Sequence, residues 1–171
     1  MAVSTLDATA GGASANTYVT LAVANQYHLD RPAVGTTWSA ALPEAKNAAI
    51  LWATKLLDSR INWTGVVVTS TQALLWPRYG MYYRNGYSVL STVIPVELQE
   101  ACAEFARQLL ADDRAGDSSV ETLGLTEFAT GSLKMKFKGS GDTRLIPGAV
   151  RNLLPVGWGA VRGRTVELLR A

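Results

Sequence analysis

Apolar and small residues fall at helical spacing over several stretches of the chain and alternate strictly with charged ones in another. Leu21, Ala24 and Tyr27 follow Thr20, whose hydroxyl suits an N-cap, and predict a short helix through about His28. Pro43 and Glu44 open a longer pattern of Ala45, Ala48, Ala49, Trp52, Ala53, Leu56 and Leu57, which predicts a second helix ending near Arg60. Pro95 opens a third, from about Val96 to Asp113. Its apolar stripe is Leu98, Ala101, Cys102, Phe105, Leu109 and Leu110, and its other face carries Glu97, Glu100 and Glu104. Pro147 starts a last short helix through Leu154.

Between these helices the pattern changes. Ile61 to Val68 reads as β-like, and Thr69 to Ser91 is a long connection with Pro77, Gly80 and Asn85-Gly86 set among aromatic residues, the kind of loop that is usually functional or interfacial. Leu123 to Thr130 and Ser132 to Lys138 flank Gly131, and Leu133, Met135 and Phe137 alternate with Lys134, Lys136 and Lys138, which predicts a hairpin with one buried face. Gly11, Gly12, Ala13 and Ser14 suggest that the first fifteen residues are loose, and Pro155, Gly157, Gly159 and Gly163 leave the C-terminal stretch without a fold of its own. The expected fold class is mainly α: a small helical bundle of about four helices with a β-hairpin, a long aromatic loop and an extended C-terminal tail. Residues 1–155 are expected to form the core and 156–171 a docking tail.

Composition narrows the functional classes. At 171 residues, 48% hydrophobic and 18% charged, the chain is a single-domain candidate and not a disordered one. The net charge of +2 hides a polarity: Glu97 to Glu127 is acidic apart from Arg107 and Arg114, while from Leu133 onward bases dominate over Asp142 and Glu167. Cys102 and His28 are single, which excludes a disulfide framework and a Cys/His metal cluster within one chain. No apolar run is long enough to span a bilayer and the N-terminus lacks a leader pattern, so a chain cytosolic when made, with no membrane partner, is expected.

No nucleophile with an adjacent base, no paired carboxylates and no phosphate-cradling glycine loop can be singled out, so we expect no enzymatic activity and no cofactor. His28 reads as a surface or core-edge histidine, and Cys102, on the apolar stripe, as a small buried hydrophobe. Trp76, Arg78, Tyr79, Tyr82, Tyr83, Arg84 and Tyr87 interleave aromatics and arginines. That is the composition of a platform on which single-stranded bases stack, and equally of a protein interface. With only two bases in the segment, little phosphate charge would be neutralised, which favours the interface. The tail sets Trp158, Val161, Val166, Leu168 and Leu169 beside Arg162, Arg164 and Arg170; it either docks onto another chain or packs back on its own domain.

The order Ser14-Ala15-Asn16-Thr17-Tyr18-Val19-Thr20, an alanine-rich helix ending Leu56-Leu57-Asp58, and Gln72-Ala73-Leu74-Leu75-Trp76-Pro77-Arg78 resembles a tailed-phage protein family. Ile94-Pro95 before a helix and the hairpin at Gly131-Ser132 extend the resemblance from Ser14 to about Leu154. The family is labelled DnaT-like single-stranded-DNA-binding, while its helical core is similar to head-to-tail connector, or adaptor, proteins.

On the connector side the resemblance implies a virion structural protein at the head-tail junction, in the host cytoplasm before assembly. It would form a ring of about twelve copies, closed by a heterologous interface repeated by rotation. Its partners would be the portal protein, the next tail-completion protein and genomic double-stranded DNA passing through without specific binding. Glu97, Glu100 and Glu104 would then line the channel, Trp158, Arg162, Arg164, Leu168 and Leu169 would dock on the portal, and Trp76, Arg78, Tyr79, Tyr82, Tyr83 and Tyr87 would meet a neighbouring subunit or tail protein. The alternative is a single-stranded-DNA-binding replication accessory protein, in which Trp76, Tyr79, Tyr82, Tyr83 and Tyr87 stack on bases.

Overall fold

The computed structural model describes residues 3–31, 36–112, 127–130, 133–136 and 146–161. Among the described residues five helices are formed: α1 (Leu21–Asp30), α2 (Thr37–Ala40), α3 (Pro43–Arg60), α4 (Val96–Ala111) and α5 (Gly148–Leu153). Each long one begins where the sequence provides a start. The Thr20 Oγ1 accepts from the Val23 N–H at 3.3 Å, Pro43 supplies the first turn of α3 with its φ already helical, and Pro95 occupies the N-cap of α4. The mainly α reading therefore holds in outline, with more strand than expected.

Helix α4 is the axis of the molecule, with α1, α2, α3 and α5 all packed against it. Six consecutive residues, Ala101 to Ala106, are buried, the signature of a helix covered on every side rather than along one stripe. Its closest partner is α3, which presents Ala49, Ile50, Ala53, Leu56 and Leu57; alanines on both helices let the two backbones approach closely. Phe105, Leu98, Val150 and Ile146 complete the interior.

Three short antiparallel pairs fringe the helices. β1 (Ile61–Trp63) pairs with β6 (Gly159–Val161) in the register Ile61↔Val161 and Trp63↔Gly159. Only glycine fits at 159, because a Cβ there would meet the Ile61 side chain at 2.6 Å. β2 (Val66–Val67) pairs with β3 (Arg78–Tyr79), and the turn into β2 uses Gly65 at φ +66°, a position where a side chain would collide with the Tyr79 carbonyl. β4 (Glu127–Thr130) and β5 (Leu133–Lys136) form the expected hairpin in the register Thr130↔Leu133; its expected buried face lies outside the described side chains.

Two expectations fail here. The N-terminal segment is tied down rather than loose: the Asp7 N–H donates to the Asn16 Oδ1 at 2.8 Å, the Asn16 side chain donates to the Thr5 carbonyl at 2.9 Å, and the Ala73 N–H donates to the Gly12 carbonyl at 3.1 Å. The glycines there serve a closed turn, not a free lead-in. Residues 156–161 also pack on the body expected to end at 155, since Trp158 is 1% exposed and β6 is paired with β1, while residues 162–171 of the expected tail lie outside the described residues.

Candidate nucleic-acid interface

The long connection from residue 69 to 91 is built around four rings. Trp63 meets Trp76 edge-on with centroids 5.6 Å apart, Trp76 meets Trp158 at 5.0 Å, and Trp158 meets Tyr83 at 5.9 Å. Arg78 locks the base of this stack: its Nε donates to the Thr64 carbonyl at 2.6 Å, its Nη2 to Gly65 at 2.8 Å and its Nη1 to Leu75 at 2.9 Å. Burial lowers the pKa of the guanidinium, with the Tyr18 and Asp58 charges opposing. The carboxylate of Asp58 gathers the other side, accepting from the Tyr18 hydroxyl, the Trp63 Nε1–H at 3.3 Å and the Leu75 N–H at 3.1 Å. Burial raises its pKa against those hydrogen bonds. A groove of about 600 Å3 opens beside it between Leu51, Lys55, Leu74 and Leu75.

On this foundation stands a small hairpin from Met81 to Val89. The Val89 N–H donates to the Met81 carbonyl at 2.8 Å and the Tyr83 N–H to the Tyr87 carbonyl at 2.8 Å, while Gly86 at φ +85° closes the turn with its N–H on the Tyr83 carbonyl. The Asn85 side chain accepts from the Tyr87 N–H at 3.1 Å, the local bond that makes asparagine a turn former. The hairpin turns Tyr83 inward to Trp158 and leaves Tyr82 59% and Tyr87 74% exposed, with Tyr79 at its foot 54% exposed and Arg84 exposed at the tip.

The residues singled out from sequence therefore divide. Tyr79, Tyr82 and Tyr87 are presented to solvent and Tyr83 is half-buried, but Trp76 and Arg78 are core: a Trp-Pro-Arg segment whose ring and guanidinium are consumed internally offers no contact surface. Among the acidic residues Glu97 and Glu100 are half-buried, whereas Glu104 is wholly buried and cannot line a channel. It pairs with Arg31 and, at 2.6 Å, with Arg107, and accepts from Gln108 at 3.0 Å. The reason is that α1 covers the helix face that the α4 pattern marks as solvated. Trp158, assigned to docking, is instead the centre of the ring stack, while Arg162, Arg164, Leu168 and Leu169 lie outside the described residues. Cys102 is fully buried and its thiol is pushed up to about 12, chiefly by burial. His28 is buried at the end of α1, its Nε2 3.1 Å from the Ala103 carbonyl, and burial lowers its pKa against that hydrogen bond. Among the described residues no cluster of His, Cys, Asp or Glu could hold a metal ion, and no helix is long and apolar enough to cross a membrane.

Arg84, counted in the sequence among the bases of this segment but not assigned to a site, is the cation of the hairpin tip. The Asn85-Gly86 turn signal locates that tip, and Arg84 is a central residue of the turn that the Gly86 N–H closes on the Tyr83 carbonyl.

The structure is a folded core fringed by short strands, with Tyr82, Tyr87 and Arg84 exposed on a hairpin and Tyr79 exposed at its foot. Residues 5–171 match the family described as "Putative DnaT-like ssDNA binding protein", and the chain belongs to that family. Neither a curated protein nor a solved structure matches it. The family's description corrects the functional expectation: single-stranded DNA stands where a portal protein, a ring of copies and passing duplex DNA were expected, and the head-to-tail adaptor role gives way to its single-strand-binding alternative.

Proposed function

We propose that the chain is a non-catalytic single-stranded-DNA-binding protein, accessory to replication, which holds its strand on Tyr79, Tyr82 and Tyr87 with Arg84 against the backbone. The observation that carries this reading is the exposure of Tyr82 and Tyr87 on a hairpin anchored by the tryptophan stack and of Tyr79 at its foot, in a chain of this family. A rigid ring in water loses little freedom when a base stacks on it, and each such stack contributes about 1–3 kcal/mol. Two or three stacks therefore reach useful affinity with few charges. One arginine at the tip releases few counterions, about 0.7 per phosphate neutralised on a single strand, so stacking rather than charge dominates at this surface.

Competition between a labelled oligothymidine and unlabelled DNA tests this, read as fluorescence anisotropy. Unlabelled single strand should displace the probe well below the concentration at which duplex of the same length does, because duplex bases offer no free faces. Equal competition by duplex, or no saturable binding of the probe, would refute the reading.

A further inference from the structure

Beside the tyrosine hairpin lies a cleft of about 380 Å3. Tyr83, Arg84 and Asn85 line it from the turn, Glu97 from the first turn of α4, and Asn152 and Pro155 from α5 and the residues after it. It is continuous with the proposed strand-binding surface through Arg84 and the turn. Its contents are unusual for a DNA-binding surface, because one wall is a carboxylate. Among the described residues Glu97 forms no ion pair, the two salt bridges there both belonging to Glu104. Tyr83 and Glu97 line the same cleft, where burial first and then the Glu97 carboxylate raise the phenol's pKa.

A carboxylate beside a nucleic-acid path repels phosphate, so what enters the cleft must be a neutral group that donates hydrogen bonds. In a single strand the Watson–Crick edges of the bases are free, and they differ in what they offer a carboxylate. Guanine presents two adjacent donors, N1–H and the 2-amino group, which match the two oxygens of Glu97. Adenine and cytosine present one amino group beside a ring nitrogen that accepts, and thymine one N–H between two carbonyls. Each of those three sets at least one lone pair against the carboxylate. Asn152 offers an amide N–H to a carbonyl such as guanine O6, Tyr83 and Pro155 supply flat walls, and Arg84 remains for the flanking phosphate.

We propose that this cleft takes one guanine base of the bound strand, its Watson–Crick edge read by Glu97. The inference rests on the single-strand reading above and adds to it a base preference. The bland alternative is that Glu97 only favours the positive end of the α4 dipole, which would leave the bases undistinguished.

The test is the affinity of the full chain for oligothymidine carrying one central guanine, hypoxanthine, adenine or cytosine. A two-bond base contact corresponds to about a tenfold preference, so the guanine strand should bind about tenfold tighter than the all-thymine strand. Hypoxanthine lacks the 2-amino group and should recover only part of that gain. Glu97→Gln replaces one acceptor oxygen by a donor and removes a negative charge: it should erase the guanine preference by weakening the guanine strand while binding the all-thymine strand slightly better. Because the hypoxanthine comparison needs no variant, it holds even if the substitution disturbs the fold. Equal affinity of the wild-type chain for guanine and thymine strands, or a preference that survives in Glu97→Gln, would overturn the base reading and leave single-strand binding standing. Failure to bind any of the strands would overturn both.

Discussion

The indole of Trp158 donates from Nε1 to the carbonyl of Tyr82 at 2.8 Å, joining residues 76 positions apart. Through this bond the segment after α5 fixes the hairpin that exposes the Tyr82 ring, and the same indole packs between Trp76 and Tyr83. Trp158→Phe keeps most of the packing but leaves the Tyr82 carbonyl without its donor. The expected cost is about 1–3 kcal/mol in urea unfolding, with a parallel loss of affinity for single-stranded DNA as the hairpin loosens. Unchanged stability and affinity would show that the bond does not organise the surface.

Arg78 and Arg84 should behave oppositely although six residues apart. Arg78 spends its guanidinium on three backbone carbonyls, so Arg78→Lys, which cannot span them, should cost about 1–3 kcal/mol per carbonyl left unpaired. Arg84 is exposed, so Arg84→Ala should leave stability within about 0.5 kcal/mol. Its effect should appear instead in the slope of log K against log salt, which should shrink by about 0.7 when one phosphate of the strand is no longer neutralised. Denaturant titrations and binding isotherms at several salt concentrations separate the two.

Glu104 provides the pH test. Burial alone would raise its pKa, but the hydrogen bonds from Arg107 and Gln108 and the charges of Arg107 and Arg31 outweigh it, and the carboxyl ends below the ordinary glutamate value of 4.5. A folded-state pKa below the unfolded one means that the stabilisation is complete above pH 4.5 and is lost as pH falls through the lower folded value. Glu104→Gln should remove this part of the acid dependence. At pH 7 it should cost on the order of 3 kcal/mol, because it breaks a buried pair from one side. Unfolding free energies measured from pH 7 down to pH 3 would show both effects.

Cys102 should be silent. A thiol pushed up to about 12 and buried in the α3–α4 interface is neither ionised nor reachable at pH 8, so a thiol reagent should label it only in denaturant. Rapid labelling of the folded chain would contradict the packing of that interface.

Much of the helical framework is legible in the sequence because its punctuation is local. Thr20, Pro43, Pro95 and Pro147 mark starts that the chain uses within a residue or so, and the α3 and α4 patterns run nearly to their observed ends. What escapes is whatever depends on a distant partner. The α4 pattern shows an acidic face but not that α1 will cover it and pair Glu104 with Arg31, 73 residues away. The Trp76 segment shows aromatics but not which rings turn inward, because that is decided by Trp158 from the far end of the chain. Gly159 reads as a loop residue, yet it is the one residue small enough for the close pairing of β6 with β1. The tyrosines of the candidate site are visible as composition; the separation of Tyr79, Tyr82 and Tyr87 from Trp76 and Arg78 is not.

The most direct measurement is a side-by-side titration of labelled oligothymidine with the wild-type chain and with Tyr82→Ala/Tyr87→Ala, after confirming that the two unfold at the same denaturant concentration. Removal of two stacking rings should weaken binding by about 2–6 kcal/mol, enough to push the isotherm beyond the accessible concentration range. Wild-type affinity in the double variant would contradict the claim that this hairpin is the surface on which the chain holds single-stranded DNA.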